Sequence, residues 1–193
     1  MKKLITLLFI GAVVSQSSKA QIQAGNVMVG ADIGKFNLSL DEGGAFNMLI
    51  NPKAAWFIKD GLALGGYLTV GLNTSKGNGT GVTYGVGALG RYYINDKQLN
   101  DLIGHSRFFV EGNVGIEGDN PATGDNTNGL GLGVGPGWAY FITPNIGLEA
   151  LLKYQGIVGF GSKATSSNLV LSVGFQIFLP TARIKNAGKD FKQ

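Results

Sequence analysis

Between Asn26 and Leu179 bulky apolar side chains alternate, residue by residue, with small or polar ones in eight successive segments. That two-residue period is the period of a β-strand with two unlike faces. It predicts strands over Asn26–Leu38, Phe46–Ile58, Leu62–Asn73, Gly81–Ile94, Arg107–Gly118, Asn128–Ile142, Ile146–Gly159 and Asn168–Leu179. Val27, Val29, Ala31 and Ile33 share a face in the first, and Leu169, Leu171, Val173, Phe175, Ile177 and Leu179 share one in the last. Lys59-Asp60-Gly61 and Thr143-Pro144-Asn145 read as tight turns between neighbours. A single alternating segment says little, but eight of them with turn residues between predict an all-β, eight-stranded antiparallel up-and-down barrel.

Three features predict that the apolar face points outward into lipid. The opposite face is mostly Gly, Ala, Ser, Thr and Asn, and charged residues make up only 15% of the chain. That face is too weakly charged for the outside of a soluble domain, where about a quarter of residues carry charge. It suits the narrow interior of a small barrel. The run Gly129-x-Gly131-x-Gly133-x-Gly135-x-Gly137 belongs to this face. Its period of two, with no helix after it, excludes a nucleotide-binding loop and leaves room for neighbouring side chains in the lumen.

The few charges on the small face nearly balance. Asp32, Glu111 and Glu149 are acidic, and Lys53, Arg91 and Lys153 are basic. Lone charges in a narrow lumen are costly, so these six are expected to pair. Counted from the turns, Arg91, Glu111 and Glu149 stand at similar heights, which predicts one internal cluster and an obstructed lumen.

Aromatic residues gather at strand ends. Trp56, Tyr92, Tyr93, Phe108, Phe109, Trp138, Tyr140, Phe141 and Phe178 fall near the short turns, and Phe36, Phe46, Tyr84 and Tyr154 near the other end. Two aromatic girdles are expected at the two membrane–water interfaces, with Trp56, Tyr92, Phe108, Trp138, Tyr140 and Phe178 in the first. The connections Ser39–Ala45, Thr74–Thr80, Asp119–Thr127 and Phe160–Ser167 read as longer polar loops on the far side. Asn95–Ser106 must lie on the short-turn side, where Leu99, Leu102 and Ile103 suggest a helical turn.

Residues 1–20 read as a secretory signal peptide: Lys2 and Lys3, the apolar run Leu4–Val14, then Ser18-Lys19-Ala20 before the expected cleavage at Gln21. Residues 21–179 form the expected barrel and 180–193 a short periplasmic tail carrying Arg183, Lys185, Lys189 and Lys192. The formal charge of +4 is weak evidence for nucleic-acid binding. Lys2, Lys3 and Lys19 account for three of the 16 basic residues, leaving 13 against 12 acidic ones. No Cys is present, which removes disulfides, thiolate metal sites and a lipoprotein anchor. No cofactor or metal is expected, since the spacing of Asp119 and Asp125 does not match a Ca²⁺ loop. No catalytic residue is assigned either. His105 is the only His, and His105 and Ser106 are adjacent residues whose side chains point apart.

Pro52-Lys53-Ala54-Ala55-Trp56-Phe57-Ile58-Lys59-Asp60-Gly61-Leu62-Ala63-Leu64-Gly65 resembles the second hairpin of the small outer-membrane β-barrel domain proteins of Gram-negative bacteria, the porin-like and OmpA-like eight-stranded barrels. Gly87-Ala88-Leu89-Gly90-Arg91-Tyr92-Tyr93 is similar to their fourth strand. The resemblance implies an outer-membrane location, outer-membrane lipid as surroundings, and insertion by the barrel-assembly machinery. The expectation is a monomeric, non-enzymatic envelope protein that is structural or presents its loops. A passive small-solute pore and a soluble lipocalin-like carrier are the alternatives.

Overall fold

The structure is a computed structural model, and it describes residues 22–38, 45–75, 79–94, 104–160 and 165–180. The expected signal peptide, the helical turn near Leu99 and the polar tail lie outside the described residues. Eight strands close into one barrel: β1 (Val27–Leu38), β2 (Ala45–Lys59), β3 (Leu62–Ser75), β4 (Gly79–Tyr93), β5 (Ser106–Asn120), β6 (Thr127–Thr143), β7 (Ile146–Gly159) and β8 (Thr165–Leu179). Every neighbouring pair is antiparallel, and β1 pairs with β8 to complete the ring.

The faces divide as the alternation requires. Leu68, Val70, Val86, Val114, Ile116, Leu132, Leu171 and Val173 stand exposed around the wall. Asp32, Lys53, Arg91, Glu111, Glu149 and Gln176 are buried inside it. A soluble carrier needs the opposite arrangement, because its apolar face must leave water. A continuous apolar belt on a closed ring suits lipid, where each backbone group must find its partner within the protein.

Several boundaries move outward from those expected. Thr74 pairs with Thr80 and Ser75 with Gly79, so the expected Thr74–Thr80 loop is largely strand. Asp119 likewise pairs with Thr127, and Thr165–Ser167 belong to β8. Thr, Ser and Asn keep pairing above the apolar belt, where both faces are polar and the alternation disappears from the sequence. At the short-turn end Gly61 has a positive φ of 78°, and its N–H donates to Ile22 O at 2.8 Å. Only a residue without Cβ takes that turn freely.

β1 carries a bulge. Ile33 faces Ile50, but the next pair is Phe36 with Met48, so Gly34 and Lys35 together oppose Leu49. The extra residue turns Lys35 to line the cavity at the loop end, although strict alternation would send it into lipid.

If the wall faces lipid, Val86→Arg, placed mid-strand opposite Ile116 and Leu68, lowers unfolding stability in vesicles by about 2–4 kcal/mol. Urea titration of the refolded protein measures this, and unchanged stability would contradict a lipid-facing Val86.

Candidate functional site

The lumen is filled in layers, and each layer follows from which small-face positions carry long side chains. Nearest the short turns lies a floor of rings. Phe57 packs on Tyr93 (6.0 Å between centroids) and Phe178 (6.2 Å), Tyr93 on Phe109 (5.4 Å), and Phe141 on Phe178 (5.2 Å). These are the offset, tilted arrangements that aromatic pairs favour.

This floor corrects the expected girdle. Trp56, Tyr92, Phe108, Trp138 and Tyr140 do stand outside at that level. Phe178 does not, and neither do Tyr93, Phe109 or Phe141. Phe175 and Ile177 point outward, so Phe178 must point inward. Height along the strand was the wrong guide, and parity decides. At the other end Tyr84 and Tyr154 stand outside, while the side chain of Phe36 lies outside the described residues.

Above the floor sits the charge network. Arg91 on β4 is fully buried and uses its whole guanidinium. Nη1 and Nη2 donate to Glu149 Oε2 and Oε1 at 2.6 and 2.8 Å, the two-pronged pairing that fits a planar fork. Nε and Nη2 donate to Glu111 Oε2 at 3.0 and 2.5 Å. Below, the guanidinium carbon lies 4.0 Å from the centroid of the Phe109 ring, a cation–π contact that ties the network to the floor.

Lys53 on β2 completes the other side. Its ammonium pairs with Asp32, and reaches Glu111 Oε2 at 2.9 Å and Glu149 Oε1 at 3.9 Å. Lys153 reaches Glu111 Oε1 at 3.3 Å from a slightly more open position. The structure thus brings together all six residues singled out in the sequence: Asp32, Lys53, Arg91, Glu111, Glu149 and Lys153. Three carboxylates meet three cations, so the layer is neutral. Gln176, not singled out from sequence, donates to Asp32 Oδ1 at 3.1 Å and Glu149 Oε1 at 2.9 Å.

A second polar layer was also missed. Glu117 is buried and accepts hydrogen bonds from Tyr67 Oη (2.5 Å) and Gln155 Nε2 (2.6 Å). Asn113 Nδ2 donates to Tyr67 Oη at 3.0 Å. The signal was present: Glu117, Asn113 and Gln155 share the small face, but their donors are neutral and charge balance does not detect them. Over this layer a cavity of about 160 Å³ opens toward the loop end, lined among others by Lys35, Thr69, Thr83, Glu117, Asp119 and Gln155.

The glycines set where these side chains lie. A Cβ on Gly131 would strike the Glu117 carboxylate, one on Gly174 the Asp32 carboxylate, and one on Gly137 the Phe109 ring. Each long side chain reaches across the lumen by lying flat on a neighbouring strand that has nothing there.

Of the residues weighed for chemistry, His105 is exposed in the turn before β5, and Ser106 is buried as the first residue of β5. Asp119 accepts a hydrogen bond from Thr83 at 2.9 Å, and no metal-holding group of His, Cys, Asp or Glu gathers among the described residues.

Removing Arg91 leaves the three buried carboxylates with only Lys53 and Lys153 to pair them, so Arg91→Met costs about 3–5 kcal/mol of folding stability. Arg91→Lys keeps the charge but loses the fork and falls between Met and the unaltered protein. Urea unfolding midpoints at constant slope test the order; Met tolerated as well as Lys would deny the charge its organising role.

No family model matches the chain, and no curated protein matches it. Solved structures do. Neisserial surface protein A is 22% identical with a TM-score of 0.53, over 79% of this chain and 95% of that one. The N-terminal β-barrel domain of OprF from Pseudomonas aeruginosa is 15% identical with a TM-score of 0.47, over 81% and 98%. The outer membrane protein OprG from Pseudomonas aeruginosa is 12% identical with a TM-score of 0.46, over 85% and 99%. The likeness to Neisserial surface protein A concerns the fold, and the chain is an eight-stranded β-barrel of the outer-membrane type.

Proposed function

We propose that this chain is a non-enzymatic protein of the outer membrane whose lumen is closed, and which acts as a structural or loop-presenting element of the cell envelope. The observation that carries this reading is the stacked interior. The aromatic floor and the neutral charge network both cross the barrel axis, and Arg91 joins them. The network draws side chains from β1, β2, β4, β5, β7 and β8, so it braces most of the wall at one level.

Such a layer is held by mutual charge satisfaction, and an ion entering it must separate paired groups where little water screens them. A passive pore instead needs a continuous wet path. The cavity at the loop end stops above Glu117 and so supports a vestibule, not a channel. The His105–Ser106 pair offers no nucleophile with an oriented base, because the serine is buried while the histidine faces outward.

Planar-bilayer recordings of the purified, refolded chain test the reading. The expected record is quiet, without stable single-channel steps. Uniform, reproducible steps from the unaltered protein would instead establish the pore.

A further inference from the structure

One wall of the barrel differs from the rest. β3 and β4 stay in register from Leu62–Tyr92 to Ser75–Gly79, and β5 and β6 from Ser106–Tyr140 to Asp119–Thr127. Among the described residues β1 and β8 pair only from Val27–Leu179 to Ile33–Val173. Beyond that point the β1 segment continues beside β2, through Phe36–Met48 to Leu38–Phe46. The β8 segment continues beside β7, up to Val158–Thr165. The seam is therefore split along its outer half. Leu169 sits opposite Tyr154, so the split spans the level between mid-wall and the outer aromatic residues.

Two further observations fall on the same place. Leu169, Leu171 and Val173 are 69%, 62% and 61% exposed, and Leu169 and Leu171 sit on the strand that lacks its neighbour there. The loop-end cavity reaches the split from inside, since its lining includes Lys35 of β1 and Val170 of β8. Lys35 is the only cationic side chain among the described residues of that lining, and the bulge puts it there. Glu117 and Asp119 lie on β5, diametrically across the ring from β1. The vestibule is thus positive at the seam and negative at the far wall.

We propose that the split β1–β8 seam is a lateral binding site for a single-chain anionic amphiphile, such as a fatty acid carboxylate. Its head group pairs with Lys35 in the vestibule, and its acyl chain leaves through the seam along Leu169, Leu171 and Val173 into the bilayer. The charge polarity fixes which end enters. Glu117 and Asp119 repel an anion from the far wall, and Lys35 holds it at the seam. The apolar chain then stays in lipid contact throughout, at no desolvation cost. Water in the vestibule, together with the bound head group, hydrates edge groups that lipid alone would leave unsatisfied. An inserted peptide strand fits less well. A Cβ on Gly34 would stand 3.4 Å from Val170 Cγ1, so the two edges remain within side-chain reach where the split begins.

The test uses the full barrel in phosphatidylcholine nanodiscs with palmitic acid carrying a terminal diazirine, and maps adducts by mass spectrometry after illumination. Labelling is expected to be concentrated at Leu169, Leu171 and Val173 relative to Val70 and Val86 on the outside of β3 and β4. Lys35→Gln is expected to reduce the excess about tenfold, as for the loss of one charge-assisted hydrogen bond, and Lys35→Arg to retain it. Lys35 is exposed, so both variants are expected to keep the heat-modifiable gel mobility of the closed barrel. Even labelling around the belt, or an excess that Lys35→Gln leaves unchanged, would overturn the proposal.

Discussion

The pairing of Arg91 with Glu111 and Glu149 is the interaction on which the interior depends. A barrel of eight strands is too narrow to keep its inward charges hydrated, so each carboxylate needs a cation at a fixed distance. Arg91 meets two of them at once and rests on the Phe109 ring. Because it is the member that touches both layers, its position sets the height of the ring floor relative to the network. Lys53 then has a single place left, between Asp32 and Glu111. The wall could close with other contents, but this set of carboxylates loses its charge balance without that guanidinium.

The glycines matter as much as the charges. Where two inward side chains stand opposite on adjacent strands they pair directly, as Arg91 with Glu111 and Tyr93 with Phe109 do. Elsewhere the neighbouring strand gives way to a long side chain: Gly174 under Asp32, Gly131 under Glu117 and Gly137 under Phe109. The alternate-residue glycine run is thus the negative of the side-chain pattern on β5, read across the 111–135 and 113–133 register. A chain with the same charges and alanines in those places would hold its carboxylates off their partners.

The fold was legible because period two survives wherever one face meets lipid and the other a packed lumen. The six network charges were legible for the related reason that charge on a face of Gly, Ser and Thr is conspicuous and nearly sums to zero. Reading failed where those conditions lapse. Phe178 was placed by height, but its neighbours Phe175 and Ile177 point outward and force it into the floor. Thr74–Thr80 looked like loop because above the belt both faces are polar, and pairing leaves no trace in hydrophobicity. Glu117 was passed over because its partners are a neutral amide and a phenol, and Gln176 because it is itself neutral although it donates to Asp32 and Glu149. Lys35 was hidden by the bulge, since an inserted residue reverses parity from its position onward.

These particulars make the barrel polar along its axis. At the short-turn end the interior is rings, then matched charge, with bulky side chains lying flat on glycines and β1 paired with β8. At the loop end the interior is amides, hydroxyls and a cavity, and one seam is no longer zipped. The two trends are coupled by hydration. An unpaired edge is tolerable only where water can reach it, and the cavity at the loop end extends down to Glu117. The register of β1 with β8 ends at Ile33–Val173, one residue beyond Asp32–Gly174, the pair that carries the network's own carboxylate. A split reaching lower would unpair the backbone beside Asp32 and so disturb its pairing with Lys53. The charge network therefore lies directly below the level at which the β1–β8 pairing ends.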